Sequence, residues 1–285
     1  MRCPLSFLFL TASLLTAGEA PRVWVCPTIA TANQLAQPWP AGVRASLHGI
    51  KLYIGTLTRS SDAELAALAA RVRDDRLPVT VEVGGLLNQD WGDQIGERSA
   101  EIEAKGLRRW LAAGGRVDAL DLDGPERRAM GLGFKPEEAA KRDPAKAITD
   151  PTVIGREIDD YLTAIRTFLP EVRFNLLVNF PNWGWKGGPA FTGNPKKPQN
   201  FGEYHTMLTA VLDVVQRDGP RFAALTIDSP HGYTAGSKPS RNPAAKGIDW
   251  VARLADLAAT AREHRLTVGL ILNCEEGGKT SDQAF

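Results

Sequence analysis

The run Arg116-Val117-Asp118-Ala119-Leu120-Asp121-Leu122-Asp123-Gly124-Pro125 is the chemically richest stretch of the chain. At the two-residue period of a strand, Leu120 and Leu122 fall on one face and Ala119, Asp121 and Asp123 on the other. Burying two like charges on one face costs several kcal/mol each unless they are solvated, paired or share a proton, and a chain that accepts this cost usually has a site there. Neighbouring acids push each other's pKa apart, so such a pair keeps one proton near neutral pH. That combination suits glycoside hydrolysis, in which one carboxyl protonates the leaving oxygen and another attacks or activates water. Gly124-Pro125 ends the strand and leaves Asp123 at its carboxyl end.

Seven strand-like runs would position such residues: 22–27, 50–55, 79–84, 117–123, 172–179, 222–228 and 266–275. Helical patterns lie between most of them. Ser61-Asp62-Ala63-Glu64 is a capping box opening a helix to about Arg76, Glu97 to Ala113 runs into Gly114-Gly115, and Asp150-Pro151 starts a helix with an apolar stripe from Ile154 to Leu169. Tyr204 to Val215 and Asp249 to His264 complete the series. Alternating strands and helices call for a parallel sheet, and seven units predict a (β/α)8 TIM barrel truncated after strand seven, with strands one and seven as unpaired edges, the alternative being a genuine seven-stranded open barrel. Three long inserts, 126–149, 181–199 and 230–247, leave the carboxyl ends of strands four, five and six, the face where barrel enzymes build their sites.

If the aliphatic set of each strand faces the helices, the opposite set faces inward. It comprises Trp24 and Cys26, Lys51 and Tyr53, Thr80 and Glu82, Asp121 and Asp123, Asn175 and Asn179, Thr226 and Asp228, and Asn273 and Glu275. A packed barrel interior would be dominated by branched aliphatics instead. Acids, amides, one lysine and aromatics on a common rim point to a ligand site, and the mixture suits sugars: Trp24, Tyr53, Trp183 and Trp185 to stack on pyranose faces, Asn and Asp to hold hydroxyls. Lys51 would pair with Glu82 or Asp121 and stay charged, against a Schiff-base role.

The block Asp118-Ala119-Leu120-Asp121-Leu122-Asp123-Gly124-Pro125 is similar to the D-x-x-D-x-D-x-E signature of the family-18 chitinases. Asp118, Asp121 and Asp123 match the three aspartates, while Pro125 stands where that family has its proton-donating glutamate. Glu126 takes over after a one-residue slip, the chain is an inactive relative, or the likeness is convergent. The architecture also resembles the clan of retaining barrel glycosidases. That resemblance implies Asp123 as acid/base at the end of strand four and Glu275 as nucleophile at the end of strand seven, with Glu276 beside it. Glu82, Asp121 and Asp228 would tune charge and hold hydroxyls, and Trp24, Lys51, Tyr53, Asn179, Trp183 and Asn273 would line subsites. Two other readings stay open: a carbohydrate-binding barrel without catalysis, and a metal-dependent sugar isomerase or deacetylase using Glu82, Asp121, Asp123 and Asp228 as ligands.

The 285 residues, 43% hydrophobic, suffice for one barrel-sized domain over 21–285. A net charge of +1 excludes the basic footprint of a nucleic-acid binder. Arg2, the apolar run Pro4 to Leu15 and Gly18-Glu19-Ala20 read as a signal peptide over 1–20, which predicts a secreted or periplasmic protein, and no second apolar run is long enough for a membrane span. Cys26 and Cys274 read as two buried thiols or, in an oxidising compartment, as a disulfide pair. His48, His205, His231 and His264 lack ligand spacing, so no metal is expected, and no Gly-rich phosphate loop or other cofactor motif is present. Nothing in the pattern signals an oligomeric state.

Overall fold

A computed structural model describes residues 10–11, 22–26, 36–39, 41–191, 200–229, 240 and 242–272. Among the described residues eight strands form one sheet: β1 (Leu10–Thr11), β2 (Trp24–Val25), β3 (Gly49–Tyr53), β4 (Val79–Val83), β5 (Ala119–Asp123), β6 (Arg173–Asn179), β7 (Phe222–Asp228) and β8 (Thr267–Leu272). Their order is β1-β8-β7-β6-β5-β4-β3-β2. Strands β2 to β8 are parallel and correspond to the seven expected runs. They build a half-barrel of βα units, the arrangement of a (β/α)8 barrel without its last unit. The expectation of a bare edge at the seventh run needs correction, because two residues from the apolar amino-terminal segment pair antiparallel with β8, Leu10 opposite Leu272 and Thr11 opposite Ile271.

The aliphatic alternation does what the period predicts. Leu52, Val81, Leu120, Leu122, Leu176, Leu225 and Ile227 are buried in one core with Leu65, Leu68, Leu107, Trp110, Ile158, Leu162, Leu208 and Leu257 of the covering helices. Helix ends also follow local chemistry. The hydroxyl of Ser61 accepts from the Glu64 amide and the Glu64 carboxylate accepts from Ser61 N, closing the capping box on helix Asp62–Asp74. Asp150 caps Pro151–Arg166, Glu203 caps Tyr204–Val215 and Asp249 caps Trp250–Glu263.

The first insert is more ordered than its composition suggests. Gly124 adopts a left-handed turn (φ 53°) that a side chain would strain, and Pro125 then starts the short helix Pro125–Ala129. Farther on, the Arg142 guanidinium lies 3.5 Å over the Phe134 ring and donates to Asn88 Oδ1 and Gln89 Oε1, folding the insert back onto the segment after β4.

Candidate functional site

Parallel register sets the inward side chains in rows. Tyr53 lies opposite Glu82, Glu82 opposite Asp121 and Asp121 opposite Asn175, while Asn179 lies opposite Asp228 near the carboxyl ends of β6 and β7. Lys51 reaches into the first row from below. Its Nζ is 2.5 Å from Asp121 Oδ2 and 3.3 Å from Glu82 Oε2, and the Asn175 amide donates to Asp121 Oδ1 at 2.6 Å. Burial alone would lower the Lys51 pKa, but Asp121 and Glu82 outweigh it and raise it above the ordinary value, so Lys51 is a fixed cation.

Glu82 is the acid whose environment favours a proton. Burial raises it, Lys51 opposes that, and Asp123, Asp121 and Asp228 add repulsion, leaving its pKa at about 7. Asp123 goes the other way. Burial would raise it, but Arg127 and Arg128 outweigh that and hold it at about 2. Their guanidinium groups sit 2.8 and 2.7 Å from Asp123 Oδ2, and Arg128 Nε also donates to the Asp123 carbonyl. This arrangement opposes the expected proton-donor role of Asp123, since a carboxyl clamped by two cations has no proton to give at neutral pH. Sequence reasoning missed both arginines. Their signal was the spacing, four and five residues after Asp123, which becomes a contact only because Gly124-Pro125 turns the chain straight into a helix.

The remaining expected residues divide. Tyr53 is half-buried, and its hydroxyl is hydrogen-bonded with the Cys26 thiol, which burial pushes up to about 12, as an inert buried thiol requires. Trp24, expected on the sugar-binding rim, is instead half-buried at the amino end of the sheet, opposite Gly49, its ring lying where a side chain on Gly49 would have to go. Trp183 does not offer a stacking face: it is 1% exposed, its ring centroid 5.3 Å from Phe201 and 5.0 Å from Tyr204. Trp185 is buried in the same aromatic group, its indole N–H donating to Asp256 at 2.7 Å. Asn273, Cys274, Glu275, Glu276 and His231 lie outside the described residues.

Glu126, the alternative donor after a one-residue slip, is fully buried. Its Oε1 is 3.4 Å from the Tyr204 hydroxyl, and Oε2 has no hydrogen-bond partner among the described residues. Burial raises its pKa to about 7 against the opposing Tyr204 hydrogen bond. A group raised in the folded state stabilises it fully below the unfolded pKa, and that contribution is lost as pH climbs through the folded value. Glu126→Gln, which imitates the protonated side chain, is therefore expected to match the wild type near pH 5 and to exceed it by on the order of 2 kcal/mol near pH 8.5 in urea titrations. Parallel stability curves for the two proteins across that range would contradict this.

The arrangement also bears on the metal-dependent reading. Among the described residues no three His, Cys, Asp or Glu side chains are placed to hold an ion together, because Lys51 occupies the space between Asp121 and Glu82, and Arg127 and Arg128 occupy Asp123. Among the described residues no helix is long and apolar enough to cross a membrane.

No family model and no curated protein matches the chain. Solved structures similar to it include the virulence factor SghA from Agrobacterium tumefaciens (12% identity, 86% of this chain and 66% of that one, TM-score 0.44). Others are a xylose isomerase domain protein from Alicyclobacillus acidocaldarius (16%, 74% and 64%, TM-score 0.40) and a family 1 β-glucosidase from Thermotoga maritima (8%, 71% and 54%, TM-score 0.39). The chain thus spans between 54% and 66% of the length of these three proteins.

Proposed function

We propose that the protein is an exported, carbohydrate-acting barrel that hydrolyses glycosidic bonds by carboxylate acid/base chemistry. The observation that carries this reading is the opposite tuning of two inward carboxyl groups, Glu82 at about 7 and Asp123 at about 2, on neighbouring strands of one concave face. An acid still partly protonated at neutral pH beside one that stays ionised is what glycosidic cleavage needs. In this reading Glu82 donates the proton to the leaving oxygen. Asp123, fixed by its arginines, and Asp121, fixed by Lys51 and Asn175, stabilise the positive charge that develops on the sugar ring. Glu275 supplies the nucleophile or base from its place in the sequence three residues beyond β8. Tyr53, Asn179, Asp228 and Asn273 hold hydroxyls and ring faces.

A panel of chromogenic glycosides and polysaccharides tests this. The wild type should hydrolyse at least one of them, with activity falling as pH rises through about 7 because Glu82 must be protonated. Glu82→Gln should lose 100-fold or more in kcat, in keeping with general-acid catalysis, while still binding the same sugar. Sugar binding without any hydrolysis by the wild type would favour the non-catalytic carbohydrate-binding barrel, and full activity in Glu82→Gln would remove Glu82 from the chemistry.

A further inference from the structure

The opposite end of the concave face holds a second feature, which meets the proposed site only at Lys51, Asp121 and Asn175. Below the Lys51–Asp121 pair, toward the amino ends of the strands, the sheet surrounds a cavity of about 170 Å³. Its existence follows from side-chain size: Ala119, Ala224 and Gly269 stand at inward positions that a packed barrel fills with branched aliphatics. The space exceeds by several fold the volume needed for one water molecule, so it admits a small polar ligand.

Its charge specifies the ligand. Arg22 and Arg173 line the cavity, both are exposed at its mouth, and among the described residues neither is ion-paired. The one carboxylate on the described lining, Asp121, is already engaged by Lys51 and Asn175. Lys51 and Asp121 cancel, which leaves an excess of two guanidinium charges; Arg173 Nε donates to the Asp118 carbonyl at 3.5 Å, and the terminal nitrogens of both groups remain as donors suited to oxyanion oxygens. We propose that this amino-terminal cavity binds a phosphate group, entering from the side opposite the acid-bearing rim.

Isothermal titration with inorganic phosphate and, separately, glycerol phosphate tests the proposal and distinguishes the free ion from a phosphomonoester. At least one should bind, and binding should weaken with added salt. Arg22→Ala combined with Arg173→Ala should weaken it tenfold or more, with unchanged circular dichroism because both side chains are exposed. Gly269→Ala adds a methyl on the cavity side only 3.5 Å from Thr226 Oγ1, an ordinary contact, and should weaken binding without unfolding the chain. Absence of binding by either probe at millimolar concentration, or affinity unchanged in the double arginine variant or in Gly269→Ala, would overturn it. Hydrolysis of glycosides plays no part in the readout, so either conclusion can fail alone.

Discussion

Lys51→Met is expected to destabilise the fold by about 3–5 kcal/mol, the range found when one partner of a buried ion pair is removed. Methionine keeps most of the volume and the apolar stem, so little of this loss would come from a cavity. The cost arises because Asp121, 3% exposed, would keep its charge with only the Asn175 amide to satisfy it, while Glu82 loses the cation that restrains its pKa. Glu82 would then favour protonation more strongly, so the loss should be largest near pH 8 and shrink toward pH 5. The double variant Lys51→Met/Asp121→Asn removes both charges and should recover most of the stability. Urea unfolding of the two variants at both pH values checks the argument. A loss below about 1 kcal/mol, or no recovery in the double variant, would mean that the pair is not the electrostatic centre of the sheet.

Gly96→Ala should cost about 3 kcal/mol, at the upper end of overpacking effects, which corresponds to a fall in Tm of about 6–12 °C for a chain of this size. Gly96 opens helix Ile95–Ala112 where it crosses Pro151–Arg166, and its N–H donates to Glu157 Oε2 at 2.9 Å. A methyl there would overlap the Glu157 carbonyl oxygen and come within 2.9 Å of Tyr161 N, backbone atoms that move only if the helices part. The same interface carries the hydrogen bond from the Tyr161 hydroxyl to Glu103, at 2.7 Å, and Glu103 in turn accepts the Gly84 and Gly85 amides just beyond β4. Parting the helices therefore loosens the strand end next to Glu82. Gly42→Ala, where the added methyl meets nothing within 4 Å, is the control and should leave Tm unchanged or slightly higher. Thermal melts of the two variants decide the point, and equal melting temperatures would refute the close contact.

The strand period, the helix caps and the inward set were legible in the chain because each depends on a few consecutive residues. Val79-Thr80-Val81-Glu82-Val83 declares its two faces by alternation alone, and Ser61 with Glu64 closes its box within one turn. Locally readable features therefore included the βα order, the burial of the aliphatic faces and the placement of Lys51, Tyr53, Glu82, Asp121 and Asp123 on one concave surface. Which charges touch was not readable. Asp123 looked like the proton donor because its position at a strand end is local information, whereas its two arginines reach it only through the left-handed turn at Gly124. Trp183 looked available because its insert is long and polar, yet the ring packs against Phe201 and Tyr204, roughly twenty residues on. Periodicity and capping act over a turn or a pair of residues, but desolvation and Coulomb energies depend on distances between elements remote in the chain. Residue types thus marked one face of the sheet, and tertiary packing alone decided which cation each acid meets, Lys51 for Asp121 and Glu82 and two arginines for Asp123.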